Sequence, residues 1–221
     1  VFSFLIGMTF FNSFFGMSYV TMMPVFAVDI LDVGAGGQGQ LLSISGLGAL
    51  LVTLWFGARS TTGGETLRVI GGAVLFGLGI AAFALTSRLV GSFSLALVLM
   101  FFIGVFNSTY MTAIMTSLQI MVPDEMRGRV MGFYSMTWSI APLGGMQAGA
   151  IASTLGAPWA LVIGGVAVVL FALGPATLNP QVRNLTTLVG QFRVGPASPG
   201  NHLEEGRVRY SAEPEPDKAL D

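Results

Sequence analysis

The sequence predicts an all-α membrane protein with six transmembrane helices. Of its 221 residues, 53% are hydrophobic and only 10% are charged, whereas a typical soluble domain has about 25% charged residues. The charges fall between long apolar runs rather than within them. Because the interior of a bilayer offers no hydrogen-bond partners to the backbone, apolar runs of about 20 residues cross it as helices. The six runs therefore indicate six crossings.

The predicted segments occupy residues 2–28, 41–58, 69–86, 93–121, 130–154 and 158–178. The first and fourth are long enough to tilt or to project past the lipid. The second is short, and its start depends on the glycine-rich stretch 36–39 forming a loop. In the fifth, Pro142 is expected to kink the helix, and small residues at Gly144, Gly145 and Gly149 are expected to allow close helix packing.

Residues 1–178 are therefore predicted to form one transmembrane unit, followed by a disordered tail at 179–221. The tail is rich in Pro, Gly, Ser, Glu and Arg and has almost no apolar periodicity. Such a segment buries too little apolar area to offset the entropy lost on ordering. The only histidine, His202, lies in it.

Basic residues are distributed unequally between the two sets of connections. Short cytoplasmic loops retain arginine and lysine. One set holds Arg88 alone, whereas the other, together with the tail, holds Arg59, Arg68, Arg127, Arg129, Arg183 and Arg193. This asymmetry predicts a multi-pass protein of the inner cell membrane with both chain ends on the cytoplasmic side.

Several kinds of chemistry are not expected from this sequence. Cysteine is absent, which excludes disulfides and thiolate sites within these residues. The central parts of the predicted segments lack Asp, Glu, Lys, Arg and His, the residues that mark proton carriers in membranes. Clustered metal ligands, catalytic triads and phosphate-binding loops are not seen. We therefore expect no enzyme, no cofactor, no metal and no nucleic-acid partner.

The connection between the fourth and fifth segments carries the most specific motif. Pro123 is expected to end one helix, and Asp124 is placed to cap the next. Arg127, Gly128 and Arg129 are expected to form a tight basic loop at the level of the lipid headgroups. The arginines either only fix the topology or also pair with acidic groups and repack as a cytoplasmic gate opens.

Residues 122–135, which read Val-Pro-Asp-Glu-Met-Arg-Gly-Arg-Val-Met-Gly-Phe-Tyr-Ser, resemble the loop between helices ten and eleven of the major facilitator superfamily. The resemblance is closest to a bacterial branch with enterobactin exporters and macrolide-efflux-like permeases. It places residues 1–178 in the carboxy-terminal half, helices seven to twelve. That the chain begins with Val1, directly at an apolar segment, also predicts a partial sequence.

The resemblance implies a secondary active transporter that works by alternating access and exports a small drug-like or siderophore-like solute. Its partners would be that solute, the lipid bilayer and the missing amino-terminal six-helix half. If transport is proton-coupled, the titrating residue is expected in that missing half. The Pro142 region also resembles the glycine and proline motif of antiporters, although Ala141 stands where a glycine is expected.

A second basic connection, residues 57–68, lies where the superfamily repeats its glycine, aspartate and arginine motif. The expected aspartate is missing here. Glu65 and Arg68, three residues apart, are expected to form an exposed helical pair of small energetic value.

Candidate solute-binding residues come from the first and fourth segments, which the resemblance places along the central pathway. It implicates Asn12, Asn107, Tyr110, Thr112 and Gln119, and the neighbouring Ser13. Separately, polar residues recur every three or four positions in the fourth segment, at Ser108, Thr112, Thr116 and Gln119, and so share one helix face. This polar stripe either hydrogen-bonds neighbouring helices or faces a water-filled cavity.

Two interpretations stay open for the methionines and for the whole chain. Met111 and Met115 are one turn apart and either pack ordinarily or adapt to varied apolar ligands. The competing class of protein is a self-contained six-helix membrane scaffold or assembly partner without transport activity. The sequence encoded upstream of Val1 discriminates the two, because six further spans would support the permease.

Overall fold

The structure, a computed structural model, describes residues 2–58, 64–122 and 124–178. These residues form eight α-helices and three π-helical segments, and this part of the chain contains no strand. The α-helices are α1 (Phe2–Phe11), α2 (Ser18–Val25), α3 (Gly34–Ala58), α4 (Gly72–Leu89), α5 (Phe93–Met121), α6 (Asp124–Trp138), α7 (Ala141–Leu155) and α8 (Ala157–Leu178). The π segments are Asn12–Gly16, Phe26–Ile30 and Leu67–Gly71. The predicted all-α membrane fold is confirmed.

Five continuous helical spans are long and apolar enough to cross a membrane: Phe4–Ile30, Gly34–Ala58, Leu67–Leu89, Phe93–Met121 and Ala157–Gly174. The remaining predicted segment corresponds to α6 and α7, which have 15 residues each. Either helix alone is about 22 Å long, which is short of the roughly 30 Å hydrocarbon core. Together they are long enough for the sixth crossing.

The first span is interrupted by π-helical turns. In the segment Asn12–Gly16 the Met17 amide donates to the Asn12 carbonyl, five residues back, at 2.7 Å. The Leu31 amide makes the same kind of bond to the Phe26 carbonyl at 2.9 Å. A π turn widens the helix by one residue and often marks a functional position. One of these turns begins at Asn12, a predicted site residue.

The second span begins earlier than predicted. Helix α3 starts at Gly34, so the expected loop at 36–39 is wrong and these residues are helical. The chain reverses direction just before them, because Asp32 and Gly34 have φ angles of 52° and 64°. Although glycine is a poor helix former, Gly37 is buried, and an added Cβ would lie 3.6 Å from the Phe93 ring of α5. Tertiary packing here outweighs intrinsic propensity.

Close helix contacts are made at glycines. In the α4–α8 contact, a Cβ added to Gly77 would lie 2.5 Å from the Gly165 carbonyl oxygen, and one added to Gly165 would meet the Gly77 carbonyl. In the α3–α5 contact, Gly48 lies against the Phe101 carbonyl and Gly104 against the Ser45 carbonyl. Such contacts between small residues bring helix backbones together where the hydrophobic effect supplies no driving force.

The fifth segment is broken next to its proline. Helix α6 ends at Trp138 and α7 begins at Ala141, so the interruption immediately precedes Pro142. In α7, a Cβ on Gly144 would overlap the Phe14 backbone, and one on Gly145 would lie 3.0 Å from the Thr21 side chain. Within the described residues a Cβ on Gly149 would meet nothing within 4 Å. Of the three glycines expected to allow close packing, Gly144 and Gly145 therefore make the close approach to the first span, and Gly149 makes no such contact among the described residues.

Candidate functional site

Asn12 lies in the π segment of the first span and is fully buried. Its Nδ2 amide donates to the Met111 sulfur of α5 at a donor–acceptor distance of 3.8 Å. Its Oδ1 lies beside Gly16, where an added Cβ would be 2.5 Å away, and has no hydrogen-bond partner among the described residues. A buried amide oxygen without a partner is unfavourable. A position that retains such a group is a candidate for binding.

Tyr110 is also fully buried, on α5. Its ring centroid is 5.6 Å from that of Phe76 on α4, and a Cβ added to Gly72 would lie 2.8 Å from its Cβ. The hydroxyl group has no partner within the part of the chain that the structure describes. Like Asn12, Tyr110 therefore lies inside the packing of this six-helix unit rather than on an open face. A solute could reach either side chain only if the surrounding helices rearranged.

Polar atoms without partners recur in this interior. Besides the two just described, the structure leaves four buried side-chain oxygens unpaired among the described residues: Ser13 Oγ, Ser87 Oγ, Asn107 Oδ1 and Ser117 Oγ. Most buried polar groups in proteins are hydrogen-bonded, so exceptions call for an explanation. Four of the six belong to the π segment of the first span or to the middle of α5, where these two elements approach each other.

A continuous row of side chains runs from this interior to the end of α5. Asn107, Met111, Met115 and Gln119 are spaced four residues apart and therefore follow one another along the helix surface. Asn107, Met111 and Met115 are half-buried, and Gln119 is exposed. At 1.5 Å per residue the row is about 18 Å long. We call it the α5 ridge.

The predicted polar stripe on α5 divides into two parts. The Ser108 and Thr53 hydroxyls are 3.0 Å apart and join α5 to α3, and the nearby Thr109 hydroxyl donates to the Val105 carbonyl at 2.7 Å. Ser108 is therefore used in helix packing. Gln119 lies at a cavity, whereas Thr112 and Thr116 are half-buried. The stripe does not act as one surface, because Ser108 and Gln119 are about three turns apart along α5 and meet different neighbours.

That cavity lies between α5 and α6 and has a volume of about 500 Å³. Met115 and Gln119 of the α5 ridge form one wall, and Arg127, Met131, Tyr134 and Ser135 of α6 form the other. We call it the α5–α6 pocket. Ligand pockets in proteins range from about 300 to 1,000 Å³, so it has room for a drug-sized molecule. Of the candidate binding residues, Gln119 is the one that lines it.

The predicted basic loop is helical. Because α6 begins at Asp124, Arg127, Gly128 and Arg129 lie in its first turns. The predicted loop is wrong in this respect, because the helix begins at Asp124, before the arginines, instead of after them. Pro123 and the side chain of Asp124 lie outside the described part of the structure. Arg127 and Arg129 are exposed, and of the two Arg127 faces the α5–α6 pocket.

The pair formed by Glu65 and Arg68 also differs from its prediction. The Arg68 guanidinium is 3.8 Å from the Glu65 carboxylate and 5.6 Å from the centre of the Phe56 ring of α3. Glu65 is only 3% exposed, so the pair is not a surface pair. The prediction failed because the sequence does not show that the chain before α4 packs onto the bundle. Arg59, part of the same connection, lies outside the described residues.

The sequence identified several of these residues and missed others. Asn12, Asn107 and Tyr110 were candidates, and two of them join spans: Asn12 donates to Met111 of α5, and Tyr110 packs against Phe76 of α4. Met131, Tyr134 and Ser135 were not chosen, although they follow Arg127 at helical spacing. That spacing could have grouped them with Arg127 only if α6 had been extended back to Asp124. Among the described residues the structure shows no cluster of potential metal ligands.

The fold and the pocket together define a class of protein, a polytopic membrane protein whose helix bundle contains polar groups and a solute-sized cavity. A search of curated proteins finds no match. The profile of the Major Facilitator Superfamily matches residues 5–196. The chain therefore belongs to this superfamily, whose members are membrane transporters and not enzymes.

Proposed function

We propose that this chain is the carboxy-terminal half of a permease that exports a small drug-like or siderophore-like solute by alternating access. The observation that carries the proposal is the α5 ridge, which connects the polar interior near Asn12 to the α5–α6 pocket. A transporter needs such a continuous row because a solute must be passed between the middle of the membrane and one of its surfaces. The superfamily assignment favours this function over a six-helix scaffold.

A second six-helix unit is the expected partner. Three side chains of the α5 ridge are only half-buried, although they lie in the middle or the C-terminal half of this long apolar helix: Asn107, Met111 and Met115. Asn107 is the polar member of this set, and the exposed part of its amide would be unfavourable in lipid. A second half that covers the α5 ridge would instead leave these side chains facing a cavity between the halves. Transporters of inverted-repeat construction place their solute sites at such an interface.

The π segments and the break before Pro142 support a unit whose helices rearrange. The Asn12–Gly16 segment packs against α7 through Phe14 and Gly144. The first span departs from regular α-helix at this contact, and the break between α6 and α7 lies about one turn before Gly144. Interrupted helices give backbone positions at which rotation can be absorbed. Rocking of the two halves would then expose Asn12 and Tyr110 to the solute in one state and bury them in the other.

The protein would lie in the inner cell membrane with both ends cytoplasmic, so that the α5–α6 pocket opens on the cytoplasmic side. It would use no cofactor. Any proton coupling would depend on a titrating residue in the amino-terminal half.

Transport is tested in cells that express the full-length protein, with a panel of fluorescent dyes of differing charge and a strain lacking endogenous exporters. We expect lower accumulation of at least one dye than in cells with an empty vector. Asn107→Ala should reduce the difference in dye accumulation several-fold. Ser94 is exposed near the N-terminal end of α5, so Ser94→Ala should leave that difference unchanged. Equal accumulation of every dye with and without the protein would count against export.

Alternating access is tested separately by cysteine labelling, since these 221 residues contain no cysteine. Met115→Cys, on the α5 ridge, should react with a membrane-impermeant maleimide added to inside-out vesicles and less rapidly when the reagent is added outside. A transported dye should raise one of these two labelling rates and lower the other. Rates that are identical from the two sides, with and without dye, would contradict the mechanism.

A further inference from the structure

The lining of the α5–α6 pocket is ordered along its length. Gln119 and Arg127 lie nearest to the connection between the two helices, and Met115 and Met131 lie one turn further in. Tyr134 and Ser135 lie about two turns further along α6 than Arg127. At 1.5 Å per residue the distance from Arg127 to Ser135 is about 12 Å. The pocket thus has a charged end, an apolar middle and a hydroxyl-bearing inner end.

The charge of the lining selects between ligand classes. Arg127 is the one charged side chain among the described lining residues, and the other polar groups are a neutral amide and two hydroxyls. A guanidinium presents several donors to a carboxylate, sulfonate or phosphate and remains protonated. The thioethers of Met115 and Met131 are flexible and polarizable and so adapt to varied apolar groups.

We propose that the α5–α6 pocket is a binding site for an amphipathic organic anion. Its anionic group would lie at Arg127 and Gln119, its apolar body between Met115 and Met131, and a hydrogen-bonding group at Tyr134 and Ser135. Such a ligand has two sources, an organic anion from the cytoplasm or the anionic headgroup of a membrane phospholipid. The proposal that this site binds an anion does not depend on transport. The further interpretation that the bound anion is an exported solute rests on the proposed function.

The site is tested by protection of a reporter cysteine in the full-length protein, after any cysteines outside these 221 residues have been replaced. Ser135→Cys places a thiol at the inner end of the pocket, and its labelling rate with a small maleimide is measured in phosphatidylcholine nanodiscs. Met131→Cys serves as a second reporter if Ser135→Cys does not give folded protein. The probe is anilinonaphthalene sulfonate, and tetraphenylphosphonium is the cationic comparison. In a second arm, without probe, one third of the lipid is phosphatidylglycerol.

We expect the sulfonate to slow labelling at least five-fold and the phosphonium to have little effect. In the Arg127→Gln variant, about tenfold more sulfonate should be needed for the same protection, which corresponds to the loss of one charge-assisted hydrogen bond. Arg88→Gln removes an exposed arginine on the opposite end of the bundle and serves as the matched control. Protection by phosphatidylglycerol alone assigns the occupant to lipid, and protection by sulfonate only assigns it to a cytoplasmic anion.

Equal protection by the cationic and anionic probes would overturn the proposal, as would an equal loss in the Arg127 and Arg88 variants. Absence of protection in both arms would also overturn it. These results are independent of the export measurement, because binding is read from a labelling rate. A protein that binds the sulfonate without exporting any dye would refute the proposed function and leave the pocket assignment intact.

Discussion

Replacement of Asn12 by leucine separates a functional role for this residue from a structural one. Leucine has the same branching at Cγ as asparagine but has no polar atoms, and its two methyl groups are larger than the amide oxygen and nitrogen. In the structure the Asn12 Oδ1 is buried without a partner among the described residues, and the Nδ2 bond to the Met111 sulfur is long, at 3.8 Å. The substitution therefore removes a costly group together with one weak contact.

The magnitude follows from these two terms. A buried polar atom that lacks a partner costs about 1–3 kcal/mol, and an interhelical hydrogen bond in a membrane protein is worth about 0.6 kcal/mol on average. Asn12→Leu should therefore raise the free energy of unfolding by up to about 1 kcal/mol, a gain that is reduced by the strain of fitting the larger side chain. We expect dye export to be lost at the same time, because a binding group has been removed from the interior.

The assay compares two readouts on the full-length protein. Unfolding is followed in mixed micelles by denaturant titration, and export by dye accumulation in cells. Ser87→Ala is the matched control, since it removes another buried polar atom without a partner among the described residues, from α4, which holds none of the candidate binding residues. It should also stabilise slightly but should leave export near the wild-type level. A protein that is destabilised by Asn12→Leu yet exports normally would refute the reasoning, because Asn12 would then be needed for packing and not for transport.

Two further predictions concern the packing that holds the site. Gly144→Ala should destabilise the protein by about 1–3 kcal/mol through overlap with the Phe14 backbone. Gly149→Ala, the control, should be neutral or slightly stabilising. A similar loss of stability in both variants, measured by denaturant titration, would contradict the contact described for α7. In a double-mutant cycle, Ser108→Ala and Thr53→Ala should show a coupling of about 0.6 kcal/mol, and full additivity would mean that the two hydroxyls do not interact.

The placement of the spans was largely predictable because hydrophobicity along the chain reflects an environment that is the same for every helix. The fourth predicted segment coincides with α5. The errors occurred where a helix extends beyond its apolar part, at Gly34 and at Asp124. Helix ends depend on capping, glycine and tertiary contacts, and a window of hydropathy does not report these.

The candidate site was less predictable. Periodicity placed Ser108 and Gln119 on one helix face, yet Ser108 bonds α3 and Gln119 lines the α5–α6 pocket. The direction in which a face points depends on where the neighbouring helices pack, which a single helix does not encode. In the same way, the burial of Glu65 follows from packing rather than from its distance to Arg68.

Residue order alone is sufficient to predict that this protein is a bundle of membrane helices, where most of them run and where the motif that resembles the superfamily lies. These properties follow from local composition, since the cost of exposing polar groups to hydrocarbon applies residue by residue. Tertiary packing, by contrast, buries Asn12 and Tyr110 inside the bundle, brings Met111 to Asn12 and places Arg127 at a pocket. Those relations join residues far apart in the chain, and they depend on glycine contacts and helix interruptions that set how the spans pack.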